Sequence, residues 1–416
     1  MVLASKENHF CLLLSNTQEG SSSFEILCGW GLKHEISTNS FETLKEFNSK
    51  AEWSFGYIGY DMKNDVELLT SKKTNSINKK DSSFFIPQYV LKFVEGEIKI
   101  YHDDDQSIDN IIGFLKQDTL QHQENTTVKL NIRPRETFSE YLKAVTEIKK
   151  HIKKGDIYEA NYCTEFFDNE ATIDPCDLYM QLNAYSPTPF SAFLKLNDVY
   201  CLSASPERFL KKENLQVVSQ PIKGTARRST NPEKDKTIKS NLKVSLKDQS
   251  ENIMIVDLVR NDLARTAIKD SVKVEELCQV YSFPQVHQMI STISSKVTPE
   301  TNNIDIIKSM FPPGSMTGAP KVKAMELMEQ YEKSNRGIYS GAIGYFNPNG
   351  DFDFNVVIRS ILYNATNKYL SFMVGGAITD NSIPEQEYEE CILKAKAILN
   401  TLGIDENVFL DHDRTV

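Results

Sequence analysis

The sequence lacks the features of several large protein classes. Its 416 residues contain no apolar run near the ~20 residues that a membrane-spanning helix needs. The first residues have neither the basic start nor the apolar run of a signal peptide. A net charge of −10 argues against a broad nucleic-acid surface, which would be basic. We therefore expect a cytoplasmic protein that binds neither membranes nor nucleic acids.

Paired cysteines and two common enzyme motifs are also missing. The seven cysteines are scattered, odd in number and contain no Cys-x-x-Cys pair. This pattern indicates a reducing compartment and favours neither a disulfide framework nor a zinc site. The spacing of a Walker A loop is absent, as is the Gly-x-Cys-x-Gly elbow of a glutaminase. The chain therefore shows no glutaminase nucleophile of its own.

A strand-rich N-terminal part precedes a longer part in which strands and helices alternate. Alternating apolar residues and turn residues predict five N-terminal strands, Phe10–Leu14, Ser23–Leu27, Trp53–Tyr60, Phe84–Val94 and Glu97–His102. The acidic run at 103–105 is predicted to be an exposed turn, and the polar residues 117–136 a connector. We expect an N-terminal region over 1–125 that packs on a catalytic region over 135–412.

The second part opens on a well-marked helix. Thr137 is the predicted N-cap, Glu140 completes a capping box, and Gly155 ends the helix. Apolar periodicity predicts the later strands Tyr158–Phe167, Phe190–Leu202, Leu215–Ser219, Ile338–Phe346, Phe352–Tyr363 and Tyr369–Val374, and the helices Leu178–Asn183, Asn231–Gln249, Ile253–Leu263 and Pro384–Leu402.

Lys223 lies between two backbone constraints. Pro221 fixes its own φ, and Gly224 permits turns that other residues resist. A lysine amine acts as a nucleophile where burial or a neighbouring charge lowers its pKa. The simpler interpretation is a solvated lysine in a Pro/Gly turn, and the segment alone leaves both open.

Four glutamates are candidates for acid–base or metal chemistry. Glu207 follows a proline in a turn, where it either points into a pocket or pairs with the next arginine at the surface. Glu251 is predicted in the first turn of a helix, where the helix dipole favours a carboxylate by roughly 0.3–1 kcal/mol. Glu387 and Glu390 share a helix face, and Lys394 offers Glu390 a simple ion pair. Three carboxylates from these two helices also suit magnesium.

A loop and a buried arginine are candidate anion sites. Thr317 lies in a loop of small residues before a helix with Pro320 near its first position. Such a loop either offers N–H groups to an anion or simply caps the helix. Tyr339 and Arg359 are predicted on two strands, and the apolar neighbours of Arg359 imply a buried guanidinium that needs an anionic partner.

Three further positions have two interpretations each. His287 stands alone in an apolar stretch, where a histidine is more often a core residue than a catalyst. Gly375 and Gly376 at a strand end either let backbone N–H groups approach a ligand or form a bulge.

Together these segments resemble the chorismate-utilising enzymes, which include anthranilate, aminodeoxychorismate, isochorismate and salicylate synthases. The resemblance is closest to component I of aminodeoxychorismate synthase. The N-terminal part matches only at Tyr57–Lys63. The other matching segments follow the family order, namely Ser205–Phe209, Pro221–Thr225, Met254–Asp262, Gly314–Lys321, Arg336–Tyr345, Ile358–Arg359 and Glu387–Glu390.

The resemblance implies a fold and a reaction. The expected fold is one large α+β domain of two intertwined halves, each an antiparallel sheet covered by helices, with chorismate between them. Lys223 stands where anthranilate synthases typically have alanine. It is implied to attack ring carbon 2 and expel the 4-hydroxyl, after which ammonia enters at carbon 4 and displaces the lysine. Glu207 is implied to handle protons at these two groups.

The resemblance also implies roles for the remaining candidates. Mg²⁺ is expected to bind Glu251 and Glu390 directly and Glu387 through water. Contacts to the enolpyruvyl carboxylate are implied for Tyr339, Arg359, Gly375 and Gly376, and positions near the ring for Thr317 and His287, the latter grouped with the catalytic residues.

Partners and rival functions follow from the same resemblance. Ammonia is expected from a separate glutamine amidotransferase subunit. Anthranilate synthase component I is the main rival, and Lys223 weighs against it. Isochorismate or salicylate synthesis is a further alternative. A catalytically inactive ligand-binding relative is the rival from another class, and the intact Lys223 and Glu207 argue against it.

Overall fold

Two large antiparallel sheets form the framework. The computed structural model describes residues 1, 6–16, 23–67, 69–73, 75–77, 80–102 and 130–410. The first sheet contains β1 (His9–Leu14), β2 (Ile26–Trp30), β6 (Tyr89–Val94), β7 (Glu97–His102), β8 (Arg133–Pro134), β9 (Glu159–Asp168), β10 (Phe190–Leu196), β11 (Val199–Ser205), β17 (Gly318–Ala319), β20 (Ser360–Asn364) and β21 (Tyr369–Ile378). The second contains β3 (His34–Thr38), β4 (Ser54–Ile58), β5 (Ser82–Ile86), β12 (Arg208–Glu213), β13 (Gln216–Gln220), β14 (Ile222–Arg227), β15 (Lys273–Ser282), β16 (Val286–Lys296), β18 (Ala342–Phe346) and β19 (Phe352–Asn355).

Both sheets interleave strands that are distant in the chain. The order in the first is β17-β9-β21-β20-β11-β10-β1-β2-β6-β7, with β8 beside β9. The order in the second is β14-β16-β13-β12-β19-β18-β4-β5-β3, with β15 beside β16. The chain thus passes repeatedly from one sheet to the other, which confirms the expected α+β fold of intertwined halves.

Helices cover the sheets. In chain order they are α1 (Phe41–Asn48), α2 (Lys63–Val66), α3 (Phe138–Lys154), α4 (Pro175–Tyr185), α5 (Pro232–Val244), α6 (Leu246–Ala264), α7 (Asn303–Met310), α8 (Lys321–Tyr331), α9 (Pro384–Thr401) and α10 (Asn407–Leu410). Across the described ranges, none is both long and apolar enough to cross a membrane.

The predicted capping box begins α3. The Thr137 hydroxyl accepts the N–H of Glu140, and the Glu140 carboxylate accepts the N–H of Thr137. Gly155 ends the helix in the left-handed conformation at φ 81°. Such an N-cap stabilises a helix by about 1 kcal/mol, and the local sequence was sufficient to predict it.

Two apolar cores lie on the two sides of the first sheet. Met373 of β21 points into the core between the sheets, with Phe84 and Ile343 of the second sheet. Its neighbour Phe372 points to the other side, into the core shared with the helices, which includes Tyr141 of α3. The alternation along one strand therefore supplies both cores.

The N-terminal strands extend both sheets. β1 pairs with β10, and β4 pairs with β18. These strands therefore hydrogen-bond directly to strands of the predicted catalytic region. The predicted boundary at 125, most of the connector 117–136 and the acidic turn at 103–105 lie outside the described residues, so they stay predictions.

Three predicted single strands are pairs of strands. Phe84–Val94 contains part of β5 and all of β6, Phe190–Leu202 contains most of the β10–β11 hairpin, and Phe352–Tyr363 contains β19 and most of β20. In the first and last cases the two strands belong to different sheets. The connection between β19 and β20, residues 356–359, carries apolar residues because it crosses the core. Its composition is therefore like that of a continuous strand.

Several elements had no predicted counterpart. The long β15–β16 hairpin was missed because β15 is largely exposed and lacks a buried face. Helices α1 and α7 were also missed, and the predicted exposed helix Asn231–Gln249 is divided between α5 and α6.

Candidate active site

Lys223 and Glu159 join the two sheets at the candidate site. Lys223 lies on β14 of the second sheet and Glu159 on β9 of the first. The Lys223 ammonium donates to Glu159 Oε1 at 2.8 Å, with the two side chains 11% and 1% exposed. Gly224 has φ 91°, a conformation that favours glycine. The interpretation of Lys223 as a solvated turn lysine is therefore wrong.

The charges around Lys223 hold its proton. Burial alone would lower its pKa, but the Glu159 carboxylate and the more distant Glu251 and Glu207 together raise the pKa above its ordinary value. The lysine is therefore an ammonium ion before substrate arrives. Nucleophilic attack requires that it first give up a proton.

Glu207 is a buried carboxyl group in the same space. Its side chain is not paired with Arg208, because Arg208 binds Asp353 through two hydrogen bonds of 2.9 Å. The surface ion-pair interpretation is therefore wrong. Burial raises the pKa of Glu207 to about 7, despite the opposing Ser315 hydroxyl and Lys223 ammonium. Near neutral pH this group can donate a proton.

Glu251 lies one turn further into its helix than the sequence predicted. Helix α6 begins at Leu246, so Glu251 is in the second turn and the helix-dipole explanation for it is wrong. Burial raises its pKa to about 7, with the Lys223 charge opposing the shift. A carboxylate in this environment is stabilised by any cation that enters.

Glu387 and Glu390 lie on one face of α9. Glu390 pairs with Lys394 at 2.8 Å, as the spacing predicted, and Lys394 also donates to the Gly375 carbonyl at 2.9 Å. The Lys394 charge lowers the pKa of Glu390. Burial raises the pKa of Glu387 instead.

The positive charge of Lys247 acts on all three carboxylates, Glu251, Glu387 and Glu390, and opposes any rise in their pKa values. Their oxygen donors suit Mg²⁺, which prefers carboxylates, water and substrate oxygens. Among the described residues, however, no three acidic, histidine or cysteine side chains stand close enough to hold a metal unaided. The donor set fits magnesium only if substrate or water oxygens complete it.

A loop of small residues brings Thr317 beside β9. Thr317 is buried, its hydroxyl donates to the Gly314 carbonyl, and its own carbonyl accepts the N–H of Asn161. At Gly318 a Cβ would lie 2.2 Å from the Glu159 carbonyl oxygen, so only glycine allows this approach. Pro320 is the N-cap residue of α8 rather than its first helical residue.

Arg359 lies in the crossing between the sheets and not on a strand as predicted. It has φ 52°, an unusual conformation for a residue with a side chain. In the part of the chain that the structure describes, its guanidinium has no hydrogen-bond partner, and it lines a pocket with Thr188 and Gln288. Burial lowers its pKa and the Glu207 charge opposes this. An unpartnered guanidinium in a pocket is suited to a carboxylate ligand.

Tyr339 lies in a turn before β18, again not on a strand. It is buried, and its hydroxyl hydrogen-bonds to Cys163. Gly375 is required by packing, since a Cβ there would lie 2.6 Å from the Cys163 sulfur. A Cβ at Gly376 would lie 3.2 Å from a Glu387 oxygen, so this glycine faces the Glu387 carboxylate.

His287 has both ring nitrogens engaged. One lies 2.9 Å from the Ser282 hydroxyl and the other 3.1 Å from Asp235, which also pairs with Arg228. The side chain is buried, as the core interpretation predicts. Its assignment to the catalytic group stays a prediction.

Two residues that contact the candidate site, Glu159 and Arg336, were not singled out from the sequence. Glu159 occupies the same face of β9 as Asn161, and a period-two reading of the strand could have found it. The buried Arg336 donates to Glu332, the Met316 carbonyl, the Asn161 carbonyl and Ser340. It therefore ties the Thr317 loop to the turn that carries Tyr339.

The weak N-terminal match has a structural basis. Asp61 accepts the N–H of Gly337 at 2.9 Å, next to the Tyr339 turn. Lys63 is buried and lies 3.5 Å from Asp61 and 3.2 Å from Glu329. The N-terminal segment thus contacts the turn that carries Tyr339 and helps to hold it in place.

Comparison with known proteins identifies the class. The family described as chorismate binding enzyme matches residues 18–400. The chain therefore belongs to the chorismate-binding enzyme family.

Individual relatives agree with this placement. The chain is 36% identical to aminodeoxychorismate synthase, chloroplastic, of Arabidopsis thaliana over 397 residues, covering 89% of this chain and 43% of the relative. It is 33% identical to aminodeoxychorismate synthase component 1 of Escherichia coli K12 over 349 residues, covering 84% of this chain and 76% of the relative. The chain thus spans less than half of the plant relative but about three quarters of the bacterial one.

A solved structure supports the fold. Anthranilate synthase component I from Streptococcus pneumoniae superposes with a TM-score of 0.75 at 28% identity, covering 82% of this chain and 79% of that one.

Proposed function

We propose that this chain is the chorismate-converting component of an aminodeoxychorismate synthase. It would convert chorismate and ammonia to 4-amino-4-deoxychorismate, a precursor of p-aminobenzoate and folate. The observation that carries the proposal is Lys223, buried in the site beside Glu159 and near Glu207. The names of the plant and bacterial relatives support it.

The reaction is two allylic displacements through a covalent intermediate. Lys223 attacks ring carbon 2, and the 4-hydroxyl departs as water with a proton from Glu207. Ammonia then attacks carbon 4 and displaces the lysine, and Glu207 recovers a proton from the new ammonium group. The pKa of Glu207 at about 7 supports both proton transfers near neutral pH.

Arg359 and Tyr339 are the proposed contacts to the enolpyruvyl carboxylate. The guanidinium of Arg359 has no partner within the described residues and can bind a carboxylate through two parallel hydrogen bonds. Thr317 and the Gly375–Gly376 backbone would line the remaining wall.

Glu251 and Glu390 would hold Mg²⁺ directly and Glu387 through water. At these residues Mg²⁺ would supply positive charge that offsets the negative charge of the ring carboxylate in a site rich in glutamates. Lys394, which pairs with Glu390 at 2.8 Å, lies beside this proposed set of ligands.

Ammonia is proposed to come from a separate glutamine amidotransferase subunit. The chain lacks the cysteine elbow of a glutaminase, and the bacterial relative is named as component 1. Free ammonium at high concentration should replace this partner in vitro. The proposed compartment is the cytoplasm.

Product analysis tests the proposal. The chain is incubated with chorismate, Mg²⁺ and ammonium, and products are identified by chromatography and mass spectrometry. We expect aminodeoxychorismate from the wild type and a loss of about 10³-fold or more in Lys223→Ala, as for other covalent nucleophiles. Lys223→Arg keeps the charge but cannot attack, so it should fail equally while preserving the fold.

The matched control is Lys236→Ala, an exposed lysine on α5, which should retain full activity. Anthranilate as the wild-type product would overturn the proposal in favour of anthranilate synthase. Isochorismate or salicylate would place the chain with those synthases. The absence of turnover with both ammonium and an amidotransferase present would favour the ligand-binding relative.

A further inference from the structure

Glu159 contacts the candidate nucleophile but has no part in the steps above. An ammonium ion has no lone pair, so Lys223 must lose a proton before its nitrogen can bond to carbon. The pKa of Lys223 lies above its ordinary value, and the free amine is therefore scarce at neutral pH. The site needs a group that takes this proton.

Four carboxyl groups act on Lys223, namely Glu159 on β9, Glu207 in the connection before β12, Glu251 on α6 and Glu390 on α9. Glu207 keeps its own proton near neutral pH, because burial raises its pKa to about 7, so it is a donor. Glu251 and Glu390 act on the lysine through charge alone. Among the described residues only Glu159 is hydrogen-bonded to the ammonium, at 2.8 Å.

The second oxygen of Glu159 is also informative. Glu159 Oε2 is buried and has no hydrogen-bond partner within the described ranges, although such atoms are nearly always paired. The carboxylate is held in place, since its side chain is 1% exposed and accepts a hydrogen bond from Lys223, while its backbone pairs with Ala319 in the sheet. A fixed carboxylate with a free lone pair is suited to receive a proton without rearrangement.

We propose that Glu159 is the proton acceptor for Lys223 in the first displacement and returns that proton after the second. The proposal rests on the function proposed above. Glu207 was assigned above as the acid for the departing 4-hydroxyl, and Glu159 is now assigned as the base for Lys223.

The two displacements then balance in atoms and charge. Glu159 takes one proton from the Lys223 ammonium, and the amine lone pair bonds to carbon 2 while the two conjugated ring double bonds both shift, to carbons 1–6 and 4–5, and the carbon 4–oxygen bond breaks. The hydroxyl leaves as water with the Glu207 proton. When ammonia bonds to carbon 4, the carbon 2–nitrogen bond breaks, and the released amine regains its proton from Glu159. The new ammonium group gives a proton to Glu207.

Glu159→Gln tests this role with little change in shape. We expect kcat for aminodeoxychorismate at pH 7.5 to fall by about 10²- to 10³-fold with less than a threefold change in KM. The deficit relative to wild type should shrink as pH rises from 7 to 9 at constant free ammonia, because hydroxide then frees the lysine. Glu159→Asp, which keeps a carboxylate, should recover part of the rate. Glu170→Gln, at an exposed glutamate after β9, is the matched control and should remain at the wild-type rate.

A second readout does not depend on turnover. Lys223 is acetylated by a small anhydride at a series of pH values, and the modified peptide is quantified by mass spectrometry. Loss of the Glu159 charge should move the labelling midpoint of Lys223 to lower pH, whereas Lys236 should label identically in both proteins. An unchanged midpoint together with a rate within threefold of wild type would overturn the proposal.

The two proposals fail in distinguishable ways. If the wild type makes no aminodeoxychorismate, or Lys223→Ala retains activity, the proposed function is wrong. If both of those results hold as expected but Glu159→Gln stays near the wild-type rate at all pH values, only the role of Glu159 is wrong.

Discussion

Lys223 and Lys321 are two buried lysines with the same exposed fraction of 11% but with different surroundings. Lys321 uses all three donors, bonding to Asp262 at 2.6 Å and to the carbonyls of Met310 and Pro312 at 3.0 Å each. Within the described part of the chain, Lys223 makes one hydrogen bond, to Glu159. Two of its donors are thus left for a ligand.

A nucleophilic lysine is expected to have a lowered pKa and a structural lysine an ordinary one, but the pKa shifts of Lys223 and Lys321 do not follow this expectation. Burial lowers the pKa of Lys321 despite Asp262, whereas the carboxylates around Lys223 outweigh burial and raise its pKa. A search for a lysine with a lowered pKa would select Lys321, which is structural. Unsatisfied donors and a neighbouring base therefore identify the candidate nucleophile better than the shift itself does.

The largest effect should come from removing the acid beside Lys223. Glu207→Gln should lower kcat by about 10²- to 10⁴-fold, because the departing hydroxyl loses its proton donor. In the wild type, the rate should fall as pH rises through about 7, where Glu207 loses its proton. The check is a pH–rate profile at constant free ammonia. A wild-type profile without this limb would contradict the role of Glu207.

Lys321 should matter for stability. Lys321→Met leaves Asp262 buried with only a longer contact to Arg265, and should lower the free energy of unfolding by about 3 kcal/mol. Urea denaturation measures this change. Lys323→Met on the same helix is the matched control, since its ion pair with Glu326 is exposed and is worth less than ~1 kcal/mol. Equal losses in the free energy of unfolding at the two positions would show that Lys321 stabilises the fold no more than an exposed lysine does.

The smallest effect concerns stability and pH. Because the pKa of Glu207 is raised from 4.5 to about 7 on folding, its stabilising contribution is complete below pH 4.5 and is lost as pH rises through about 7. Between pH 5 and pH 8 the wild type should therefore lose more stability than Glu207→Gln does. Denaturant titrations at the two pH values measure the difference. A parallel loss in both proteins would show that Glu207 titrates at its ordinary pKa.

Local signals accounted for much of the candidate site. The Pro221–Gly224 pair marked Lys223, helical spacing placed Glu387 and Glu390 on one face, and the capping box placed α3. Local sequence patterns gave wrong positions for residues whose surroundings are formed by distant parts of the chain. Glu251 was assigned to the wrong helical turn, because the start of α6 was hidden in a charged segment. Arg359 was placed on a strand, because a core-crossing connection has the composition of one.

The sequence by itself determined the class of fold, through its resemblance to a known family, and it determined the capped helix α3 and the chemical types present at the site, since these depend on short-range spacing and residue chemistry. Only the tertiary structure decided that Arg208 pairs with Asp353 and leaves Glu207 buried near Lys223. It also decided that Glu159 on one sheet meets Lys223 on the other. Such contacts join residues dozens to more than a hundred positions apart, and no local pattern records which buried charges will share a space.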